Sequence, residues 1–593
     1  MVLAVHRSFR WQTREHRLHL AETLSVESKR HSWKFGGDSL LTWIYNYFPS
    51  LFGGEYIFDT IKVNPFTFEP REGALELTPL RAYAHQVPHY YLQRFGSAVT
   101  HPDSNEYSLF AQDTIRVSDH FAVNLGLRYD LQTFATARLL SNPLWPASGR
   151  VPRDQANIAP RIGLAYSIGE QRPLVIRAGY GRFYTRIPQI YNSVVESDNG
   201  LNGGLVFLNN NDSLARPFFP QYPNPAVSCS IRAVVCSPPA ELNRFVRRDL
   251  SAFSSDFQIP KVDQASLNLE REIAHRFAVG ASYMYVHGEN LIRARDVNLP
   301  QPVTISYPIF DTSGANFLGS YNVESFSTLQ FTRSLECVFP PCINPLARPI
   351  PQLGAIDVFE SAASSVYHGG TLSVRRRMNK GVYFRLAYTF ARAIDDGQDA
   401  LVTGRPATVQ NPFLPSAERG LSVTDQRHRL ALSWVAEPRP FDRGHDWLGH
   451  VFNDWKVSAI TTAGSGRPVN AIVTGDPNQD GNDSNDRLPG VRRNSFVGPN
   501  YATTDVRLSR RLYLGDRFKL ELIGESFNIL NRDNRRVLST DDGFQSNSAQ
   551  FVQSDKLLSN RHFPGYYRVP TNFLHARDAY APRQVQLALR LVF

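Results

Sequence analysis

The sequence predicts an all-β chain, a transmembrane antiparallel β-barrel, and three observations carry that expectation. Apolar residues recur at every second position in stretches of about ten, the connections between those stretches alternate between short and long, and no apolar run approaches the ~18 residues that a spanning helix needs. At 593 residues the chain exceeds one compact soluble domain, so it is either several domains or one large closed architecture. Its 42% hydrophobic and 20% charged residues would suit a water-soluble protein. They suit a membrane barrel equally, because lipid-facing and lumen-facing residues alternate and average out.

The alternation is clear from Phe121 to Asp130. Phe121, Val123, Leu125, Leu127 and Tyr129 share one face, while Ala122, Asn124, Gly126, Arg128 and Asp130 share the other. The same pattern holds for Phe277, Val279, Ala281, Tyr283 and Tyr285, for Val382, Phe384, Leu386, Tyr388 and Phe390, and for Val585, Leu587, Leu589, Leu591 and Phe593. Ten tilted residues are the length that crosses an outer-membrane hydrocarbon layer. Alternation alone leaves a soluble sandwich or propeller open, since it does not say what covers the apolar face.

The connections decide between these. Tight turns fall near 118–119, 169–172, 274–275, 379–381 and 515–516, and long connections cover 131–157, 185–262, 288–365, 392–426, 464–502 and 529–583. Sandwiches and propellers use short connections throughout. An up-and-down membrane barrel has short periplasmic turns and long extracellular loops. One departure is 436–454, where a short turn is due and a periplasmic excursion is expected instead.

About 17 strands follow, near 17–25, 32–45, 54–60, 88–97, 105–117, 121–130, 158–168, 174–184, 263–273, 276–287, 366–377, 382–391, 427–435, 455–463, 503–513, 517–528 and 584–593, with an irregular start over 1–16. The last strand follows a long loop and so descends to the periplasm, and by the same alternation the first one descends too. An odd number cannot close antiparallel without a parallel seam, so the edges at 17–25 and 584–593 are expected to stay open, the alternative being a narrower ring with a parallel seam.

Charge narrows the function classes. The chain carries 64 Lys+Arg against 54 Asp+Glu, a formal +10, and about eight of the 64 are Lys. These residues are scattered rather than gathered on one face, which argues against nucleic acid as a partner. Even the run Arg375-Arg376-Arg377 sits at a strand end before the turn Asn379-Lys380-Gly381. The amino terminus has no apolar h-region and no cleavage site, so it does not read as a secretory leader.

Several segments taken together resemble a known family. EYSLFAQDTIRVSDHFAVNLGLRYD, NIAPRIGLAYSI and VIRAGYGRFYTR follow in order, with HSWKFGGD upstream and GDPNQDGNDSNDRLPG, ATTDVRLSR and FNILNR downstream. They resemble the barrel of TonB-dependent outer-membrane receptors, most of all the Oar-like branch, whose members often carry a carboxypeptidase-regulatory-like domain in front. The resemblance runs from about Arg17 to the end. It implies a 22-stranded barrel in the outer membrane of a Gram-negative bacterium, of which about 17 strands are visible and about five are not. It also implies a signal peptide, a TonB box and a plug domain, none of which is in this sequence, so an amino-terminally truncated barrel portion is expected. TonB coupling would then need the missing region.

Candidate sites are few. Asp476, Asn478, Asp480, Asp483 and Asp486 place oxygen-bearing side chains around Gly481, a pattern that could hold Ca²⁺. An EF-hand would have Glu where Arg487 stands, and a solvated Asx-rich turn is the competing reading. Cys229 with Cys236, and Cys337 with Cys342, form two local pairs in Pro-rich stretches that could close as disulfides in an oxidising compartment. The strand carrying Val585, Leu587, Leu589, Leu591 and Phe593 is physically an amphipathic edge ready for β-augmentation, and the resemblance implies a signal read by the barrel-assembly machinery. Loop residues such as Phe218, Phe219 and Tyr222 would suit sugar stacking or an anionic chelate.

No enzyme is expected. Gly179-Tyr180-Gly181 lies inside a strand, Asp395-Asp396 reads as a loop start, and no HExxH or phosphate-cradling loop occurs. The resemblance implies uptake of an unknown small molecule, glycan or peptide energised through TonB. A passive porin or surface adhesin, and a soluble secreted β-protein, are the competing classes.

Overall fold

The computed structural model describes residues 3–6, 12–59, 61–70, 75–151, 153–201, 203–210, 215–229, 234–274, 276–326, 329–330, 342–343, 348–379, 381–397, 401–402, 405–438, 453–474, 476–482, 485–515, 517–537, 551–552, 567–569 and 578–593. Fifteen long strands build a barrel sheet. They are β1 Gln12–Glu27, β2 His31–Tyr47, β3 Ser104–Ser118, β4 Phe121–Phe134, β5 Ile158–Ile168, β6 Leu174–Tyr184, β7 Lys261–Ala274 and β8 Phe277–Asp296. Then come β9 Ile356–Asn379, β10 Val382–Asp395, β11 His428–Ala436, β12 Trp455–Gly464, β13 Tyr501–Leu514, β14 Phe518–Phe527 and β15 Gln584–Val592. Each pairs antiparallel with the next. Short turns follow the odd strands up to β13 wherever residues are described, and long loops follow the even ones. Residues 439–452, within the long connection expected at 436–454, lie outside the described residues.

Directly paired residues share a face. Leu24 stands opposite Phe35, Phe35 opposite Ala111, Ala111 opposite Leu127, and Leu127 opposite Pro160. The same face continues through Ala178, Leu267 and Tyr283 to Leu372, Leu386, Leu508 and Leu587. Its large apolar side chains are exposed: Leu24 by 61%, Leu127 by 53% and Leu587 by 85%. So wide an apolar surface is stable only against lipid. The opposite face carries ion pairs: Arg128 joins Asp38 and Asp130, Glu270 joins Arg177 and Arg375, and Arg507 joins Glu521 and Glu525. This polar face lines the lumen.

Two of the expected barrel strands are elsewhere. Glu55–Phe58 and Tyr90–Ser97 join a separate six-stranded sheet with Leu3–His6, Gly204–Asn209, Val235–Cys236 and Val246–Arg247. Their alternate residues Tyr56, Phe58, Tyr91 and Phe95 are buried in a protein core with Phe52, Val206 and Leu208 rather than turned toward lipid. The barrel sheet therefore has fifteen long strands where about 17 were expected. The expected irregular start at 1–16 also gives way, since β1 begins at Gln12 and Leu3–His6 is a strand.

All fifteen strands belong to one barrel, yet the ladder itself supplies no seam. Among the described residues, β1 pairs only with β2 and β15 only with β14. Every residue of both strands is exposed.

Candidate functional site

Among the units into which the long loops pack, two hold the candidate residues. The first is the loop sheet. Gln93 is fully buried at its centre; it accepts from the Tyr91 hydroxyl at 2.8 Å and donates to the carbonyls of Phe52 (2.9 Å) and Val227 (2.8 Å). Because buried amides must be paired, this network ties 221–229 to the loop after β2. The segment is further closed by a disulfide between Cys229 and Cys236, whose Cα atoms are 5.8 Å apart. Cys337 lies outside the described residues, and nothing is described of the Cys342 side chain.

Phe218, Phe219 and Tyr222, expected as ligand-stacking residues, pack into this unit instead. Tyr222 meets Tyr56 and Phe58 edge-on at 5.2 and 5.3 Å between centroids, Phe219 packs on Tyr56 and Tyr91, and Phe218 packs on Phe245 under the Arg244 guanidinium. Loop segments this long bury backbone only if a core pays for it, and these rings are that core.

The second unit is a charged knot above β8 and β9. Arg348 is 5% exposed; its guanidinium donates to Asp296 Oδ2 at 2.9 Å, to the carbonyls of Asn298 and Gly354, and to the Asp480 carbonyl at 2.8 Å. Arg247 pairs with Asp249 at 2.9 Å beside it. Burial works to raise the Asp249 carboxyl, but Arg247 and the Ala355 N–H bring it below its ordinary value. Asp480 is pushed up to about 6 by burial, although donors from Asn485, Asn482 and Asn478 oppose the shift.

The Asp/Asn-rich loop is part of this knot. Asp476 accepts the N–H groups of Asp480 and Gly481, and Asp480 accepts from the Asn482 N–H and from the side-chain amides of Asn478 and Asn485. The oxygens of Asp476, Asn478 and Asp480 are thus engaged by amide donors, as in an Asx turn, though a buried rather than solvated one. Asp486 is fully buried, and Asp483 lies outside the described residues. Among the described residues no three His, Cys, Asp or Glu side chains converge as a metal site. Arg487, standing where an EF-hand would have Glu, makes a two-pronged pair with Glu418 at 2.5 and 2.9 Å. Arg493 pairs with Asp395, so the Asp395-Asp396 loop start is anchored too.

Arg348, Glu418 and Arg493 are the residues that sequence reasoning missed. Their ion-pair partners, Asp296, Arg487 and Asp395, each lie more than fifty residues away in the chain, and no local pattern marks them.

Two hollows complete the picture. One of about 150 Å³ opens on the lumen face between Arg17, Leu40, Thr42, Glu106, Arg186 and Gln189, with Arg186 2.6 Å from Glu106. The other, about 490 Å³, lies among Phe35, Leu125, Leu127, Pro160 and Ile162 on the apolar wall, where lipid chains rather than a transported ligand belong. The residues expected as an assembly signal lie on β15: Val585, Leu587, Leu589 and Leu591 project from the apolar face, and Phe593 is 92% exposed.

The family model described as "Outer membrane beta barrel domain" matches residues 4–490. No curated protein matches the sequence. Among solved structures, the outer membrane transporter YddB from Escherichia coli is 11% identical with a TM-score of 0.45, covering 98% of this chain and 54% of its own. A mutant of the ferric enterobactin receptor from Pseudomonas aeruginosa gives 12% and 0.46, with 98% and 54% covered. The FrpB iron transporter from Neisseria meningitidis gives 11% and 0.44, with 98% and 55%. The chain spans about half the length of the solved structures it matches.

Proposed function

This chain belongs to the outer membrane beta barrel domain family and resides in the Gram-negative outer membrane, and from that premise we propose that it forms the barrel wall and loops of a TonB-dependent uptake receptor. The observation that carries the reading is the contrast between the two sheet faces. The outer face carries a continuous band of large apolar side chains, while the inner face bears interleaved acids and arginines beneath loops packed into their own cores. A wall of that kind surrounds a wet lumen, and packed loops give a ligand a defined surface at its mouth. The Oar-like motif string supports the finer placement, and no single ligand follows from the loops.

The two edges support a further part of the reading. β1 and β15 both descend, so only an odd number of additional strands joins them antiparallel; seven would reach the 22 of plugged outer-membrane transporters.

The test is uptake in the native bacterium of a labelled panel of ferric chelates, cobalamin, oligosaccharides and peptides. Deleting the coding segment should abolish uptake of one member, and deleting TonB should cause no further loss. Passage that persists without TonB, or without a proton gradient, would replace the receptor by a passive pore. Loss of surface attachment with uptake intact would point to an adhesin.

A further inference from the structure

On the outward face one constellation occurs twice. The Tyr283 hydroxyl lies 2.7 Å from His368 Nδ1 across β8 and β9, and the His368 ring leans on Tyr285 with centroids 5.2 Å apart. The Tyr388 hydroxyl lies 2.8 Å from His428 Nδ1 across β10 and β11, and the His428 ring leans on Phe390 at 5.3 Å. Register builds the repeat. Tyr285 stands opposite His368, and Phe390 opposite His428, so in each case a tyrosine two residues earlier on the same strand reaches the imidazole diagonally. Arg392 stands opposite His368, and the Arg427 guanidinium lies 5.8 Å from the Phe390 ring centroid. His368, Arg392 and His428 are all exposed.

Depth follows from the strands. The two imidazoles stand roughly eight to eleven residues from the periplasmic ends of β9 and β11. At ~3.3 Å per residue and a tilt of ~40° that is about 20–28 Å, the upper edge of a ~25 Å apolar band. Below them the same face carries Leu372, Val374, Leu386, Tyr388, Leu430 and Leu432 before the lower aromatic level at Phe277, Phe384 and Trp434.

Nearby carboxylates are already taken. Asp263 pairs with Arg182 at 2.8 Å, Glu289 with Lys261 at 2.8 Å, and the buried Asp425 accepts the Ala393 N–H and lies 3.8 Å from Arg427. Arg392 and both imidazoles have no acidic partner among the described residues. With Nδ1 held by tyrosine, Nε2 of each histidine is left for a partner outside the protein, and its orientation is set in advance. The Arg392 guanidinium at a lipid boundary is matched by an anionic headgroup, and a row of fixed imidazole and guanidinium groups with aromatic neighbours suits phosphate oxygens over a sugar.

We propose that the extracellular rim formed by His368, Arg392 and His428, braced by Tyr283 and Tyr388, binds the phosphate groups of the phosphorylated glycolipid of the outer leaflet. The site lies on the lipid face, and it stands or falls independently of what the lumen transports.

The protein extracted from its own outer membrane is examined by native mass spectrometry for retained glycolipid, then delipidated and titrated with bisphosphorylated, monophosphorylated and dephosphorylated forms. Affinity should fall at each loss of phosphate, by tenfold or more overall. His368→Phe combined with His428→Phe, which keeps aromatic bulk, should reduce retained glycolipid at least tenfold, and Arg392→Gln several-fold. Arg376→Gln, at the opposite rim over Phe277, should leave it unchanged. Equal binding of the dephosphorylated form overturns the proposal whatever the variants do, as does full retention by the doubly substituted protein.

Discussion

Leu127→Arg tests which face of the sheet meets lipid. Leu127 is 53% exposed and stands opposite Ala111 and Pro160 on the apolar face. It lies six residues beyond the turn at Asp119-His120, which at ~3.3 Å per residue and ~40° tilt is about 15 Å into the band, close to its midplane. An arginine there should cost about 2–4 kcal/mol. Gln112→Arg, on the lumen face one strand away and exposed to water, should cost about 0.5 kcal/mol or less. Phe121→Arg, on the same outer face beside the turn, should cost about 0–1 kcal/mol, because the penalty falls toward the interface. Denaturant titration of folding into liposomes reads all three. If Leu127→Arg and Gln112→Arg cost the same, the lipid face has been misassigned; if Phe121→Arg costs as much as Leu127→Arg, the depth reasoning fails.

Arg348→Ala should loosen the charged knot by about 3–5 kcal/mol, since it leaves Asp296 buried without its partner; protease nicking of 476–482 should rise sharply, and unchanged cleavage would refute the role. Asp480 has its carboxyl raised to about 6 when folded, against 3.8 ordinarily. Its contribution is therefore present below about pH 4 and lost as pH rises through about 6. Asp480→Asn should accordingly gain hydrogen-exchange protection in this loop relative to the unsubstituted chain as pH goes from 4 to 7, and a pH-independent difference would count against the reading. Cys229→Ser opens a loop of sequence separation 7 and should cost about 2.5 kcal/mol of local stability, seen as faster exchange over 221–229; equal exchange in reduced and oxidised protein would refute it. Expressed by itself, the chain should fail to give a heat-modifiable, protease-resistant band if β1 and β15 pair only with β2 and β14, as they do among the described residues, since unpaired backbone groups are costly in hydrocarbon; steady large conductance steps from such protein would show that the edges meet after all.

The sequence by itself determined the strands of the barrel and their faces. Leu125, Leu386 and Leu587 lie on one face because a period of two leaves no other choice, and the alternation of short turns with long loops follows from hairpin connectivity. What it could not determine is what covers an apolar face. Tyr56 and Phe58 alternate just as Leu125 and Leu127 do, yet the first pair is buried in a loop sheet and the second faces lipid; period two records one apolar side, and only tertiary packing supplies its cover. The aromatic run Phe218-Phe219 was legible as unusual for a loop, but whether it met a ligand or Phe245 depended on chain segments far away. The same holds for Asp476 to Asp486, whose oxygen spacing is compatible with a cation or with the chain's own amides. Arg348 in the loop after β8, Asp296 at the end of β8 and Asp480 in the loop after β12 come together in space, and the contact of groups so distant in sequence is decided by the fold alone.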